Sequence, residues 1–99
     1  MAKLSTQEPW GTSFHNQTIT CSYNELVKAL GQPQVEDNTG EDKVNFEWIC
    51  ETKNGILFTI YDWKEYRRIR LDEEIEWHIG GEHSIHTIIA RQELEALIY

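Results

Sequence analysis

Val44-Asn45-Phe46-Glu47-Trp48-Ile49-Cys50-Glu51 and Ile56-Leu57-Phe58-Thr59-Ile60-Tyr61-Asp62-Trp63, joined through Asn54-Gly55, decide the fold. The first stretch alternates apolar and polar with a period of two, the pattern of a strand with one buried face. Asn54-Gly55 tolerates positive φ at both positions, as a two-residue type I′ turn requires, and the second stretch returns as a strand. That turn predicts a register pairing Trp48 with Tyr61, Cys50 with Thr59 and Phe46 with Trp63 on one face. The other face then pairs Ile49 with Ile60, and Glu47 with Asp62. Two carboxylates directly opposed are unfavourable, so either a cation from the next strand lies between them or the loop is longer.

Upstream, Ser22-Tyr23-Asn24-Glu25 is a capping box, in which serine and glutamate each satisfy the other's backbone amide. Tyr23, Leu26, Val27 and Leu30 follow at helical spacing. Gly31 sits where a helix C-cap is wanted and Pro33 prevents continuation, which predicts a helix over 23–30. Residues 1–9 read as a loose N-terminal arm, residues 10–20 as a short strand or small hairpin, and residues 31–42 as a solvated loop. Downstream, 64–72 is a charged connection and Glu74–Ile79 a third strand with Ile75, Trp77 and Ile79 on one side. Gly80-Gly81 ends it. A helix then runs from Glu82 or Ser84 to the C-terminus, with Ile85, Ile88, Ile89, Leu94, Leu97 and Ile98 as its buried stripe. The expected fold is therefore α+β: a small antiparallel sheet of three to five strands with two helices packed on one face, in the order β-α-β-β-β-α.

Ninety-nine residues make one domain, 1–99, and 39% hydrophobic content is enough for one core and too much for global disorder. No run approaches the ~18 apolar residues needed to span a bilayer, and the first residues lack a secretory signal, so a cytoplasmic location without a membrane partner is expected. Cys21 and Cys50, 29 positions apart with no CxxC pair, read as small hydrophobes.

The net charge of −8 is unevenly spread. Residues 31–54 carry six acids against two lysines, residues 62–70 carry four cations against two acids, and residues 71–82 carry five acids and no cation. Such a chain is a poor candidate for gripping a nucleic-acid backbone, which demands concentrated Lys and Arg. It suits a basic protein surface, or the acidity simply maintains solubility.

Two stretches carry candidate chemistry. In Trp77-His78-Ile79-Gly80-Gly81-Glu82-His83-Ser84, a strand, two glycines and a helix start is a geometry in which free amides favour an anion. Gly80 and Gly81 would let a phosphate approach the backbone and Ser84 would add a hydroxyl, although the GxxxxGK[ST] and GxGxxG spacings are absent. A plain strand-to-helix turn explains the same residues. The second stretch, Tyr61-Asp62-Trp63-Lys64 with Tyr66, Arg67, Arg68 and Arg70, offers aromatic faces for a base and cations for phosphate. Its plainer explanation is that the aromatics are sheet residues and the cations neutralise Asp72, Glu73 and Glu74. His78, His83 and His86 lack HExxH, so no metal or other cofactor is assigned, and no catalytic motif is found.

Ser22-Tyr23-x-Glu25-Leu26-Val27-x-Ala29-Leu30-Gly31, Glu47-Trp48, Phe58-Thr59-Ile60-Tyr61-Asp62-Trp63-Lys64 and Trp77-His78-Ile79-Gly80-Gly81 together resemble a family of small bacteriophage-encoded proteins with YDWK and WHIGG motifs, over residues 11–90. The resemblance implies action against host defence in the host cytoplasm, by occluding a defence protein or by sequestering its cyclic-nucleotide or ADP-ribose-type signal. The Tyr66–Arg70 segment is more basic than that pattern. The first functional expectation is a non-enzymatic nucleotide sponge, using Gly80, Gly81 and Ser84 for phosphate, Tyr61, Trp63, Trp77 and His78 around the base, and Lys64 or Arg68 as counter-charge. A shallow sheet face encloses a nucleotide poorly, so this version calls for a homo-oligomer with sites at subunit junctions. The alternative is an acidic, anti-CRISPR-like inhibitor that occupies a basic groove with Glu36, Asp37, Glu41 and Asp42 together with Asp72, Glu73, Glu74 and Glu76.

Overall fold

The computed structural model describes all residues, 1–99. In chain order it contains β1 (Lys3–Leu4), β2 (Ser13–Cys21), α1 (Tyr23–Leu30), β3 (Val35–Glu36), β4 (Phe46–Glu51), β5 (Leu57–Tyr61), β6 (Ile75–Gly81) and α2 (Ser84–Ile98). The class is α+β with an open antiparallel sheet of six strands, more than the three to five expected. The order β-β-α-β-β-β-β-α replaces β-α-β-β-β-α. The added strands are two residues each. β1 pairs with the Cys50-Glu51 end of β4 and β3 with its Phe46-Glu47 end, so together they cover one edge. The first residues are thus not a loose arm: Ala2 and Ser5 are buried and the Ser5 amide donates to the Ile49 carbonyl at 2.8 Å. The sheet runs β1-β4-β5-β6-β2.

α1 forms as its capping box dictates. The Glu25 amide donates to Ser22 Oγ and the Ser22 amide to Glu25 Oε1, each at 3.1 Å. Gly31, at φ +104°, closes the helix with its amide on the Val27 carbonyl. The interruption His15-Asn16-Gln17 is a bulge within one long strand, with Asn16 at φ +65° and the register shift falling between Phe14 and Thr18.

The β4–β5 register differs by one residue from the type I′ expectation. Glu47 pairs with Tyr61, Trp48 with Ile60, Ile49 with Thr59, Cys50 with Phe58 and Glu51 with Leu57. The loop is three residues, Lys53-Asn54-Gly55. The Thr52 amide donates to the Ile56 carbonyl, the Ile56 amide to Thr52 Oγ1 and the Gly55 amide to the Thr52 carbonyl, and Gly55 adopts φ +82°. A type I turn closed by a left-handed glycine suits Asn-Gly as well as a type I′ turn does. Because side chains alternate, the slip exchanges the two faces of β5 relative to β4. Phe46, Trp48, Cys50, Phe58 and Ile60 turn inward, whereas Glu47, Thr59 and Tyr61 turn to the opposite face, and the Glu47–Asp62 clash disappears.

The inward residues of β2, β4, β5 and β6 and those of both helices form one cluster that includes Leu26, Trp48, Phe58, Ile60, Trp77, Ile79, Ala90 and Leu94. Both helices therefore lie on one face. Trp48 and Trp77 meet edge to face at 5.3 Å, and their indole N–H groups donate to the Gly31 and Cys21 carbonyls, each at 2.9 Å. Cys21 and Cys50 are fully buried. Burial, with Glu25 and Glu74 adding, pushes the Cys21 thiol up to about 12, and burial raises Cys50 too. On α2, Thr87, Ala90 and Leu94 are buried, whereas Ile85 and Ile88, expected in its buried stripe, are exposed.

Gly80 and Gly81 do not form the helix start. They are buried strand residues, and Gly80 sits between Phe14 and Thr59 in the ladder. A Cβ on Gly80 would stand 2.5 Å from Thr59 Oγ1, and one on Gly81 would stand 2.9 Å from Thr87 Cγ2 of α2. Their missing side chains serve packing. Gly80→Ala is expected to cost about 1–3 kcal/mol through overpacking. Removing the obstructing hydroxyl in Gly80→Ala/Thr59→Ala should recover part of that loss. Urea midpoints of the four proteins give the coupling, and strictly additive losses would show that the Thr59 contact is not the cause.

Candidate functional site

The face opposite the helices carries the candidate site. Tyr61 and His78 are direct cross-strand partners there, Thr18 pairs with His78 on the other side, and Glu47 pairs with Tyr61. Phe14 stacks on the His78 ring at 4.1 Å with an interplanar angle of 17°. The Trp63 ring lies 6.4 Å from His78 at 30° and 6.1 Å from Tyr61 at 85°. Trp63 and Phe14 are each 39% exposed. Beside them, Glu47, Thr59, Tyr61, Trp63 and Gly80 line a shallow concavity of about 220 Å³, whose floor is low because Gly80 has no side chain.

Two ammonium groups stand over Trp63: Lys64 Nζ at 5.5 Å and Lys43 Nζ at 6.0 Å from the ring centroid. Both are within cation–π range. Burial lowers the His78 pKa, against a smaller opposing effect of Glu76, so the ring is neutral at pH 7. Burial raises the Glu47 carboxyl. Burial and then the Glu47 charge raise the Tyr61 phenol, which therefore keeps its proton.

Trp63 and both lysines are held by a clamp between two loops. Asp62, 1% exposed, accepts from the Asn45 amide at 2.9 Å and the Phe46 amide at 2.8 Å. Asn45 Nδ2 donates to the Arg67 carbonyl at 2.8 Å, and the Lys64 amide donates to the Lys43 carbonyl at 2.8 Å. Asn38 binds both the amide and the carbonyl of Ile69, at 2.7 and 2.8 Å. Gly40, at φ +79°, packs so close that a Cβ would stand 2.6 Å from Arg67 Cα. Lys64 and Tyr66 adopt φ +55° and +50°, left-handed conformations that non-glycine residues hold only where surrounding contacts fix them. Burial raises the Asp62 carboxyl, opposed by its backbone hydrogen bonds.

The structure brings Tyr61, Trp63, Lys64 and His78 together, with Gly80 in the floor. It separates the other expected ligand residues. Trp77 is fully buried on the helix-facing side and offers no free ring face. The side chain of Gly81 would point at α2, and Ser84 is the exposed first residue of that helix, after the N-cap His83. Arg68 donates from Nε to the Asn38 carbonyl on the clamp. Phe14, Lys43, Glu47 and Thr59 belong to the site and were not anticipated. The opposed Glu47 and Asp62 were the one sequence signal that the register, and so the face, needed shifting.

The acidic residues divide in the same way. Arg67 grips Glu73 with bonds of 2.6 and 3.1 Å and also reaches Glu65, which holds the Glu73 carboxyl below its usual range, while Arg70 pairs with Asp72 at 3.2 Å. Arg67 and Arg70 thus neutralise Glu73 and Asp72 as considered for them, whereas Glu74 has no cation partner. Glu36 accepts from the Tyr23 hydroxyl at 2.9 Å. Asp37, Glu41, Asp42, Glu74 and Glu76 are exposed and make no ion pair. His83 and His86 have ring centroids 4.9 Å apart, but no three His, Cys, Asp or Glu side chains gather as a metal site would require. No helix is long and apolar enough to cross a membrane. Comparison with protein-family profiles, curated proteins and solved structures finds no match.

Proposed function

We propose that this protein is a non-enzymatic binding protein of the bacteriophage type that antagonises host defence, in the host cytoplasm, by sequestering a nucleotide immune signal. The observation that supports this reading is Trp63, partly exposed on the sheet face away from both helices, with Tyr61 and His78 beside it and two lysine ammonium groups within 6.0 Å of its ring. An aromatic face stacks a base for about 1–3 kcal/mol, and the ammonium groups supply counter-charge for phosphate. The phosphate contacts move from the diglycine, whose residues lie in the ladder, to Lys43 and Lys64.

Calorimetric titration with cyclic dinucleotides and cyclic ADP-ribose isomers tests the reading. At least one member should bind the wild type, and Trp63→Ala should weaken it about 10- to 100-fold. Absence of heat with every member would remove the reading. The concavity covers a ligand on one side only, so a homo-oligomer that closes it belongs to the proposal, and mass measurement with and without ligand checks that part.

A basic-groove inhibitor is the second reading, favoured by the unpaired exposed acids Glu41, Asp42, Glu74 and Glu76. It requires salt-sensitive complex formation, weakened by reversing those four charges. Asp72 and Glu73, held by Arg70 and Arg67, contribute little to it.

A further inference from the structure

From the polar groups left unpartnered in the concavity, we infer that the nucleotide carries guanine, with Glu47 reading its N1–H and N2–H₂ edge. This rests on the nucleotide reading above. Glu47 lies half-buried beside Trp63, accepts no hydrogen bond and pairs with no cation, although Lys43 and Lys64 stand close to the same indole. Its carboxylate oxygens still reach water, and no protein donor competes with a ligand's N–H groups for them. Its cross-strand partner Tyr61 likewise has a hydroxyl without a protein partner.

Glu47 therefore presents acceptors only, and Tyr61, protonated at neutral pH, presents a donor. The guanine edge is the complement: two N–H groups side by side for the carboxylate and O6 for the phenol. Adenine places its N1 lone pair where guanine has a donor, so one acceptor would face another. Cytosine and uracil lack the paired N–H and NH₂ donors. The lysines then meet phosphates, and the Trp63 ring meets the base. Each role falls on a group that the protein itself leaves free.

Calorimetry with cyclic di-GMP and cyclic di-AMP, which differ only in the base, tests the inference on the full chain. The wild type should bind cyclic di-GMP about 10- to 100-fold more tightly. Glu47→Gln replaces one acceptor with a donor, which matches adenine's N6–H and N1, and should erase or reverse the preference. That variant remains folded. Burial, which raises the Glu47 carboxyl, disfavours the charge that the amide removes, and the side chain makes no ion pair that the substitution would break, so the melt should lie close to that of the wild type. Equal affinity for the two ligands, or a preference unchanged in Glu47→Gln, would overturn the guanine assignment and leave the nucleotide reading standing. No binding of either ligand, or of any other cyclic nucleotide, would overturn both.

Discussion

Trp77→Ala is expected to destabilise the protein by about 3–5 kcal/mol, the range for deleting a large buried aromatic side chain. Trp77 is wholly enclosed, meets Trp48 edge to face at 5.3 Å and lies 6.4 Å from Phe46. Its indole also satisfies the Cys21 carbonyl, so truncation leaves a cavity and an orphaned acceptor together. For a domain of this length each kcal/mol moves Tm by about 4–8 °C, so a fall of at least ~12 °C should appear in a thermal melt. Trp63→Ala, by contrast, should change stability by less than about 1 kcal/mol. The two indoles are equally conspicuous in the sequence, one in YDWK and one in WHIGG, yet one is enclosed in the core and the other partly exposed on the open face. A melt in which Trp63→Ala is the more damaging change would reverse that assignment.

Asp62→Ala should cost about 2–5 kcal/mol, because it strands the buried amides of Asn45 and Phe46, each worth about 1–3 kcal/mol when unsatisfied. The effect reaches beyond stability. The same two loops carry Lys43, Trp63 and Lys64, and the Lys64 amide rests on the Lys43 carbonyl next to the Asp62 bonds. On the nucleotide reading, Asp62→Ala should therefore weaken ligand binding even at temperatures where the chain stays folded, although Asp62 itself is buried. Asp62→Asn keeps an acceptor at the position now taken by Oδ1, which serves both amides, and should retain more of both stability and binding. Urea melts alongside calorimetry check this. A loss confined to stability would show that the clamp does not position the lysines.

Local chemistry made the capped helix legible. Ser22, Glu25, Gly31 and Pro33 act within a few residues of one another, and α1 spans 23–30 as they require. The hairpin was legible in existence but not in register, since Asn54-Gly55 serves a two-residue turn and a three-residue loop equally well. That single residue decided the site, because the slip carried Tyr61 and Thr59 to the open face, where Glu47 already stood. β1 and β3 are two residues each and show no periodicity; they are strands only because β4 offers them an edge. The clamp was invisible for a related reason. Asn38 read as a loop residue and Asn45 and Asp62 as strand positions, and their partners, the backbones of 45, 46, 67 and 69, are distant in sequence. Gly80-Gly81 read as a turn because glycine within a strand is explained only by what lies across it, here Thr59 and Thr87.

Proton–nitrogen correlation spectra during a titration with cyclic di-GMP test the open face as the binding site most directly, since each tryptophan gives its own indole signal. The Trp63 indole and the amides of Lys43, Glu47, Tyr61 and His78 should shift, while the Trp48 and Trp77 indoles, bonded to Gly31 and Cys21, should stay in place. A still Trp63 indole, with shifts centred instead on Glu41, Asp42, Glu74 and Glu76, would contradict a nucleotide site on this face.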